Sequence, residues 1–335
     1  MYSQAPKKHL VFSTAYDPST DQVLDWMAAM GGQFIRKNTN DQYIEREDTV
    51  LPVSAQAEDR RYASIWFRKI SGLPRQDWLS GVHLSEAAEA FQANLPYFNQ
   101  YVERERKTFY DFYYQSFQAG RILSPYEAIR LNKLVVLNLA ASIGLDVPKT
   151  LITKRRKILE RFRAECPEGV INKSISEHLF FDGPAPDIKR YANYTEEITD
   201  RMIRTMPETF DLSLFQEKLD KDFEIRTFYL EGRCHSMAIF SQDNERTSLD
   251  FRRYDKSNPN RLANFSLPGA HEALIARLMG LLGLNTGSLD LIQTRNGRMA
   301  FLEVNPAGQF GMVSVPCNYG LEKQIASYLI NGNES

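Results

Sequence analysis

Gly287-Ser-Leu-Asp290-Leu-Ile-Gln-Thr-Arg-Asn296-Gly297-Arg-Met-Ala-Phe-Leu-Glu303-Val-Asn305-Pro306, near the C-terminus, alternates apolar and polar residues on both sides of a turn signal. Two apolar runs flank Asn296-Gly297, the dipeptide most favoured in a two-residue type I′ hairpin turn. With that turn Arg295 faces Arg298, and counting outward sets Asp290 directly opposite Glu303. Asn305 lies two residues on and shares the face of Glu303, whereas Leu289, Leu291, Leu302 and Val304 point the other way. Directly opposed strand residues hold their Cβ atoms roughly 4.5–5.5 Å apart, and like charges there destabilise the pair. A cation between them would offset the repulsion. Carboxylate and amide oxygens suit Mg2+, which takes one or two protein carboxylates and completes its octahedron with water and phosphate. The alternative is a hairpin whose polar face is simply wet.

At 335 residues the chain has room for two or three packed units. Its hydrophobic content of 43% and charged content of 25% are ordinary for a globular protein. A formal net charge of −1 implies no bulk attraction to nucleic acid or to an anionic membrane. The three cysteines, Cys166, Cys234 and Cys317, are widely spaced and form no zinc pattern, which fits a reduced, cytoplasmic setting. No apolar run approaches the length of a membrane span.

His9-Leu-Val-Phe reads as a first strand, 20–30 as a helix closed by Gly31-Gly32, and Gln33-Phe-Ile-Arg as a second strand. This β-α-β start predicts a small parallel α/β unit. From 85 to about 120 the spacing is helical and rich in aromatics, including Phe91, Tyr97, Tyr101, Phe109, Tyr113 and Phe117, which read as core, with an interruption at Leu95-Pro96. A helix from Asn132 to Ile143 follows, ending at Gly144. Lys154-Arg-Arg-Lys157 reads as a solvated helix face and Val170-Ile-Asn-Lys173 as a short strand. Residues 180–194, with Gly183-Pro184 and Pro186, read as a loop. Strands are expected at 214–219, 223–230 and 235–240, and a helix at about 269–282.

Glu224 and Arg226, two apart, face the same way on their strand. Lys173 sits on an otherwise apolar strand, where a buried ammonium needs a counter-charge. Arg252 and Arg253 offer guanidinium groups suited to phosphate or carboxylate. A strand lysine, several arginines and an acidic hairpin together describe a nucleoside triphosphate site. No Walker-type or G-x-G-x-x-G loop is present, nor H-E-x-x-H, nor G-x-S-x-G, so phosphate must be held in another way.

That combination resembles the ATP-grasp superfamily over about residues 125–315. Lys133 and Lys173 look like its two phosphate-contacting lysines. Phe215-Gln216-Glu217-Lys218-Leu219 resembles the linker strand whose backbone and acidic residue read the adenine edge. Glu224 matches the ribose-binding acid, Arg226 the arginine on the same strand, and Arg252 an arginine near the transferring phosphate. Asp290, Glu303 and Asn305 match the set that holds magnesium. Within the superfamily the likeness is to graspetide (microviridin-type) ligases, and most to the grasp-with-spasm peptide maturases. It is carried by Ser64-Ile-Trp66-Phe67-Arg68-Lys69, Tyr194-Thr-Glu-Glu-Ile198, Leu214-Phe-Gln-Glu-Lys218 with Glu224-Ile-Arg226, Glu303-Val-Asn-Pro-Ala-Gly-Gln-Phe-Gly311 and Val315-Pro-Cys-Asn-Tyr319. The chain departs from many ATP-grasp enzymes after Lys173, where a single glycine, Gly183, replaces a glycine-rich flap.

The resemblance implies an α/β (α+β) three-part ATP-grasp fold. Its parts would be an N-terminal parallel α/β domain over 1–123 and two α+β subdomains, 124–212 and 213–335, clasping ATP. It implies an ATP-dependent ligase with ATP and two Mg2+ ions. Asp or Glu side chains of a leader-bearing precursor peptide would be activated as acyl phosphates and joined to Thr or Ser hydroxyls or Lys amines. The implied catalytic residues are Arg226, Arg252 and Arg253. The implied nucleotide-binding residues are Lys133, Lys173, Gln216, Glu217, Lys218, Leu219, Glu224, Arg226 and Asn305. A homodimer is expected, with no nucleic-acid or membrane partner. A ligase of the same fold acting on an amino acid or small amine, and a nucleotide-binding protein without turnover, are the other readings.

Overall fold

The computed structural model describes residues 8–40, 60–71, 88–176, 180–182, 190–192, 195–242 and 259–332. The chain divides into two compact units, residues 1–127 with 321–335, and residues 128–320.

In the first unit, β1 (Lys8–Ser13), α1 (Pro18–Ala29), β2 (Gln33–Asn38), β3 (Arg61–Phe67), α2 (Ala88–Gln115) and β4 (Gln118–Leu123) build a parallel sheet of order β2-β1-β3-β4. β1 is central, so Leu10, Val11 and Phe12 are fully buried, as a continuous apolar run on a two-sided sheet must be. Asp17, just before α1, is fully buried and faces Arg68 and Lys69 beyond β3, at 3.4 and 3.3 Å.

α2 runs without interruption through Pro96. The aromatics divide: Tyr110, Tyr113 and Tyr114 of α2 and Phe117 just beyond it are buried, with Tyr114 and Phe117 against Phe12, whereas Tyr97, Tyr101 and Phe109 are exposed. The core reading therefore holds for Tyr113 and Phe117 and fails for Tyr97, Tyr101 and Phe109, which face solvent. The side chain of Phe91 lies outside the described residues.

The second unit begins with α3 (Lys133–Ser142). β5 (Thr150–Arg155), α4 (Arg156–Ala164), β6 (Val170–Lys173), β7 (Phe180–Asp182), β8 (Arg190–Ala192), β9 (Glu196–Ile198), α5 (Asp200–Thr205) and β10 (Thr209–Glu217) follow. The sheet β5-β10-β6-β9 is antiparallel and packs Val170, Ile198 and Phe215 against Leu159 and Ile203 of its two helices. β7 and β8 pair as an antiparallel hairpin, so part of the expected 180–194 loop is strand, while its Gly183 lies outside the described residues. The basic run splits between the end of β5 and the start of α4, with Arg156 pairing with Glu160.

β11 (Lys221–Leu230), β12 (Arg233–Phe240), β13 (Arg261–Phe265), α6 (Gly269–Leu281), β14 (Thr286–Thr294), β15 (Met299–Asn305) and α7 (Gly311–Cys317) complete this unit. Their sheet has the order β13-β12-β11-β14-β15. One face buries Ile225, Leu289, Leu291 and Phe301 against Ile275 and Leu278 of α6 and Val136 and Leu137 of α3. The opposite face carries the polar residues of interest, following the period-2 alternation of a half-buried sheet.

The last helix, α8 (Leu321–Asn331), departs from the expected 213–335 boundary. Its buried residues Leu321, Ile325 and Leu329 pack on α1 and β3, and Arg121 of β4 donates to the carbonyls of Leu329 and Ile330. All three cysteines are free thiols. Among the described residues no helix is long and apolar enough to cross a membrane.

Candidate functional site

The β14–β15 hairpin sets Asp290 opposite Glu303, as expected, and Ser288 opposite Asn305, but reaches that register by another route. The turn is not the two-residue I′ type. Gly297 N donates to the Thr294 carbonyl and Thr294 N to the Arg298 carbonyl, leaving Arg295, Asn296 and Gly297 as a three-residue loop. Gly297 takes φ +89°, the left-handed position that such loops give to glycine. Gln293 therefore faces Met299, one step out of the expected register, and Arg295 does not face Arg298. The pairing then jumps from Leu291↔Phe301 to Asp290↔Glu303, so Leu302 is an extra residue. A β-bulge of this kind restores the count. In consequence Phe301, not Leu302, fills the core beside Leu291.

Each acid of the pair meets a cation of the protein. Arg226 on β11 lies directly across from Asp290, with Nη1 at 2.6 Å from Oδ1. Lys133, first residue of α3, brings its Nζ to 3.4 Å from Glu303 Oε2. Asn132 caps that helix by accepting from the amides of Leu134 and Val135, which fixes where Lys133 leaves the backbone. Asn305 is exposed, and its Oδ1 accepts from Ala307 N at 3.0 Å, bending the chain after β15. At Gly308 a Cβ would collide with the side chain of Ser288, so that close approach requires glycine.

The donor set is two carboxylates and one amide oxygen; among the described residues no three-membered His, Cys, Asp or Glu cluster occurs. So sparse a set fits Mg2+, which draws its remaining ligands from water and phosphate. Arg226 adds an observation of its own: its Nε is buried with no hydrogen-bond partner, an unsatisfied donor beside the acid pair.

Glu224, two residues before Arg226, is buried, ion-paired with Lys221 and hydrogen-bonded by Ser241 Oγ at 3.1 Å. Burial pushes its carboxyl above the usual range; Lys221 pulls it back and the charge of Asp290 pushes it further up.

The linker residues gather on the first sheet. Lys173 donates to Gln216 Oε1 at 3.0 Å, and Gln216 Nε2 donates to Thr150 Oγ1 at 3.0 Å. Cross-strand pairing puts Ile152, Leu214 and Ile171 on that same face, an apolar floor edged by one ammonium and one amide. Lys218 pairs with Glu197 at 2.7 Å. The amides of Glu217 and Lys218 are already committed, to the carbonyls of Lys149 and Gly169, whereas that of Leu219 makes no main-chain bond among the described residues. Glu217 Oε1 accepts from Lys149 N and from Arg298 Nη2, both at 3.1 Å.

Arg298 also grips Asp146 with two parallel bonds, Nε to Oδ2 at 2.9 Å and Nη2 to Oδ1 at 3.0 Å. That grip raises its already high pKa. Neither Arg298 nor Asp146 stands out in the sequence: 152 residues separate them and no spacing rule joins them. Lys221 is the other residue that sequence reasoning passed over, although its position three before Glu224 was a usable signal. Arg252 and Arg253 lie outside the described residues. Every other candidate, from Lys133 to Asn305, lies in the second unit.

No family model matches the chain, and a search of curated proteins found no match. Solved structures do match. Their fold, shared over nearly the whole chain, is that of ATP-grasp ligases. The macrocyclase MdnC of Microcystis aeruginosa MRC, bound with precursor peptide MdnA, has a TM-score of 0.75 at 22% identity, covering 97% of this chain and 100% of its own. An RiPP-associated ATP-grasp ligase of Chryseobacterium gregarium, in complex with ADP and a leader and core peptide, has a TM-score of 0.71 at 19% identity, covering 97% and 96%. The ATP-grasp ligase PsnB, complexed with minimal precursor, Mg and ADP, has a TM-score of 0.71 at 19% identity, covering 99% of each chain.

Proposed function

We propose that this chain is an ATP-dependent ligase that closes ester or amide bonds within a ribosomally made precursor peptide. The observation that carries the reading is the Asp290–Glu303 pair, opposed across one hairpin with Arg226 and Lys133 against it. The fold match to ligases solved with precursor peptide, ADP and Mg supports it. The motifs around Arg68, Glu197 and Asn305 support the grasp-with-spasm branch, a leader-bearing substrate and a three-part domain plan.

A carboxylate oxygen of a precursor Asp or Glu attacks the γ-phosphorus of ATP, giving an acyl phosphate and ADP. A Thr or Ser hydroxyl or a Lys amine then attacks the acyl carbon, expelling phosphate and giving up a proton. Asp290, Glu303 and Asn305 hold Mg2+, which when bound neutralises phosphate charge. Lys133, Lys173, Arg226, Arg252 and Arg253 lower the repulsion between the two anions that must meet. Glu224 accepts from the ribose, and Gln216, Glu217, Lys218 and Leu219 hold the base. Holding the acyl phosphate against one chosen side chain supplies effective molarity, worth roughly 7–11 kcal/mol in well-oriented cases. No covalent enzyme nucleophile is needed.

The test is co-expression with candidate precursors, reading peptide mass and ADP release. Loss of one water per bond, with ADP release stimulated only by leader-bearing peptide, is expected. ADP release driven instead by a free amino acid or small amine would replace the peptide reading with the small-substrate one.

A further inference from the structure

Glu217 is held from one side only. Both of its partners, Lys149 N and Arg298 Nη2, reach the same oxygen, Oε1. Oε2 has no partner among the described residues and is not among the fully buried polar atoms. Arg298 in turn cannot swing freely, because two bonds tie it to Asp146. Asp146 is fixed from its other end: its carbonyl accepts from Phe301 N at 2.8 Å, and it bridges Ala300 as a short parallel continuation beyond β15. The chain from the hairpin through Arg298 to Glu217 is therefore assembled before any ligand arrives, as preorganisation requires.

We propose that Arg298, anchored by Asp146, is the positioning residue that makes the nucleotide site choose adenine over guanine, by fixing Glu217 as a one-sided acceptor. The proposal rests on the reading above in which the linker faces the base. An ionised carboxylate only accepts hydrogen bonds. Adenine presents an amine donor at its C6 edge, whereas guanine presents a carbonyl acceptor there. A carboxylate oxygen fixed at that edge gains a bond to adenine and meets a lone pair on guanine. Without Arg298 the side chain can turn away from that edge, and the discrimination falls while the rest of the site stays in place. Lys149 cannot substitute, because it contributes a single main-chain amide with no charge.

The experiment measures ADP and GDP affinity by calorimetry on the full chain, with thermal melting to verify folding. Wild type prefers ADP. Arg298→Met is expected to lower the ADP:GDP preference about ten-fold, mainly through weaker ADP binding, because losing an oriented polar contact discriminates against the ligand that used it. Asp146→Ala moves the preference the same way, and Arg298→Lys restores part of it. Glu217→Gln also lowers the preference, and adding Arg298→Met to Glu217→Gln changes it no further. Equal weakening of ADP and GDP in Arg298→Met, with the preference intact, overturns the proposal and makes Arg298 a structural residue. Wild type that binds neither nucleotide overturns the nucleotide reading itself, and the proposal with it.

Discussion

Asp17 in the first unit and Glu224 in the second are both buried carboxylates facing cations, yet their pKa values move in opposite directions. Burial raises both. At Asp17 it is outweighed by Arg68, Lys69 and the hydroxyls of Ser13 and Thr20, which bond its Oδ2 at 3.0 and 2.9 Å, so the carboxyl falls below its ordinary value. Glu224 has one ammonium and one hydroxyl, and the charge of Asp290 works against it, so the carboxyl stays raised. Asp17 is a clamp with two cations that ties β1 and α1 to the end of β3. Glu224 has one cation in reach instead of two, with another acid beside it. A raised carboxyl beside another acid is a pattern met at ligand sites, and the proposed ribose contact would bring hydroxyls to it.

That contrast can be broken most sharply at the acid pair beside Glu224. Glu303→Ala is expected to lower ADP release at least about a thousand-fold, as loss of metal-supported charge stabilisation does, with the melting curve little changed. Wild-type-like turnover would remove the hairpin from the mechanism. Asp17→Ala should do the reverse. It removes the carboxylate 3.4 Å from the buried Arg68 and costs about 3 kcal/mol in urea unfolding, while ADP affinity of the folded protein is retained.

The smallest effect lies in pH dependence, and its sign separates the two acids. The depressed pKa of Asp17 contributes stability above the ordinary value of 3.8 that is lost as pH falls through the folded pKa. The raised pKa of Glu224 means the native state holds its proton longer than the unfolded chain. Its contribution therefore falls as pH rises from the ordinary 4.5 through the folded pKa. Unfolding free energies measured against pH should lose the first slope in Asp17→Asn and the second in Glu224→Gln. Matching slopes in both variants would show that the two carboxylates do not differ.

How much of this was legible beforehand depends on the range of the forces involved. β1 and the helices at Pro18 and Gly269 follow from apolar runs and from glycine or proline punctuation, which are local. The exposed aromatics of α2 were misread because helical spacing reports a face, not what covers it. The hairpin is the most instructive case. Asp290 faces Glu303 as counted, but only because the three-residue loop shifts the register by one and the Leu302 bulge shifts it back. The bulge falls where Asp146, far away in sequence, takes the Phe301 amide, a partner that no count outward from the turn contains. The assignment of the last helix to the first unit is likewise a packing outcome, set by which sheet offers Leu321, Ile325 and Leu329 a buried surface.

The amino-acid order alone carries the parallel start, the alternation that puts Glu303 and Asn305 on one face of their strand, and the residue types suited to a metal and a nucleotide. Those properties depend on side-chain period and on turn chemistry within a few residues. Only the tertiary structure decided which cations meet the acids, that Lys221 backs Glu224, and that Arg298 joins Asp146 to Glu217. Such partners are chosen by long-range packing, which brings together groups between which the chain carries no spacing signal.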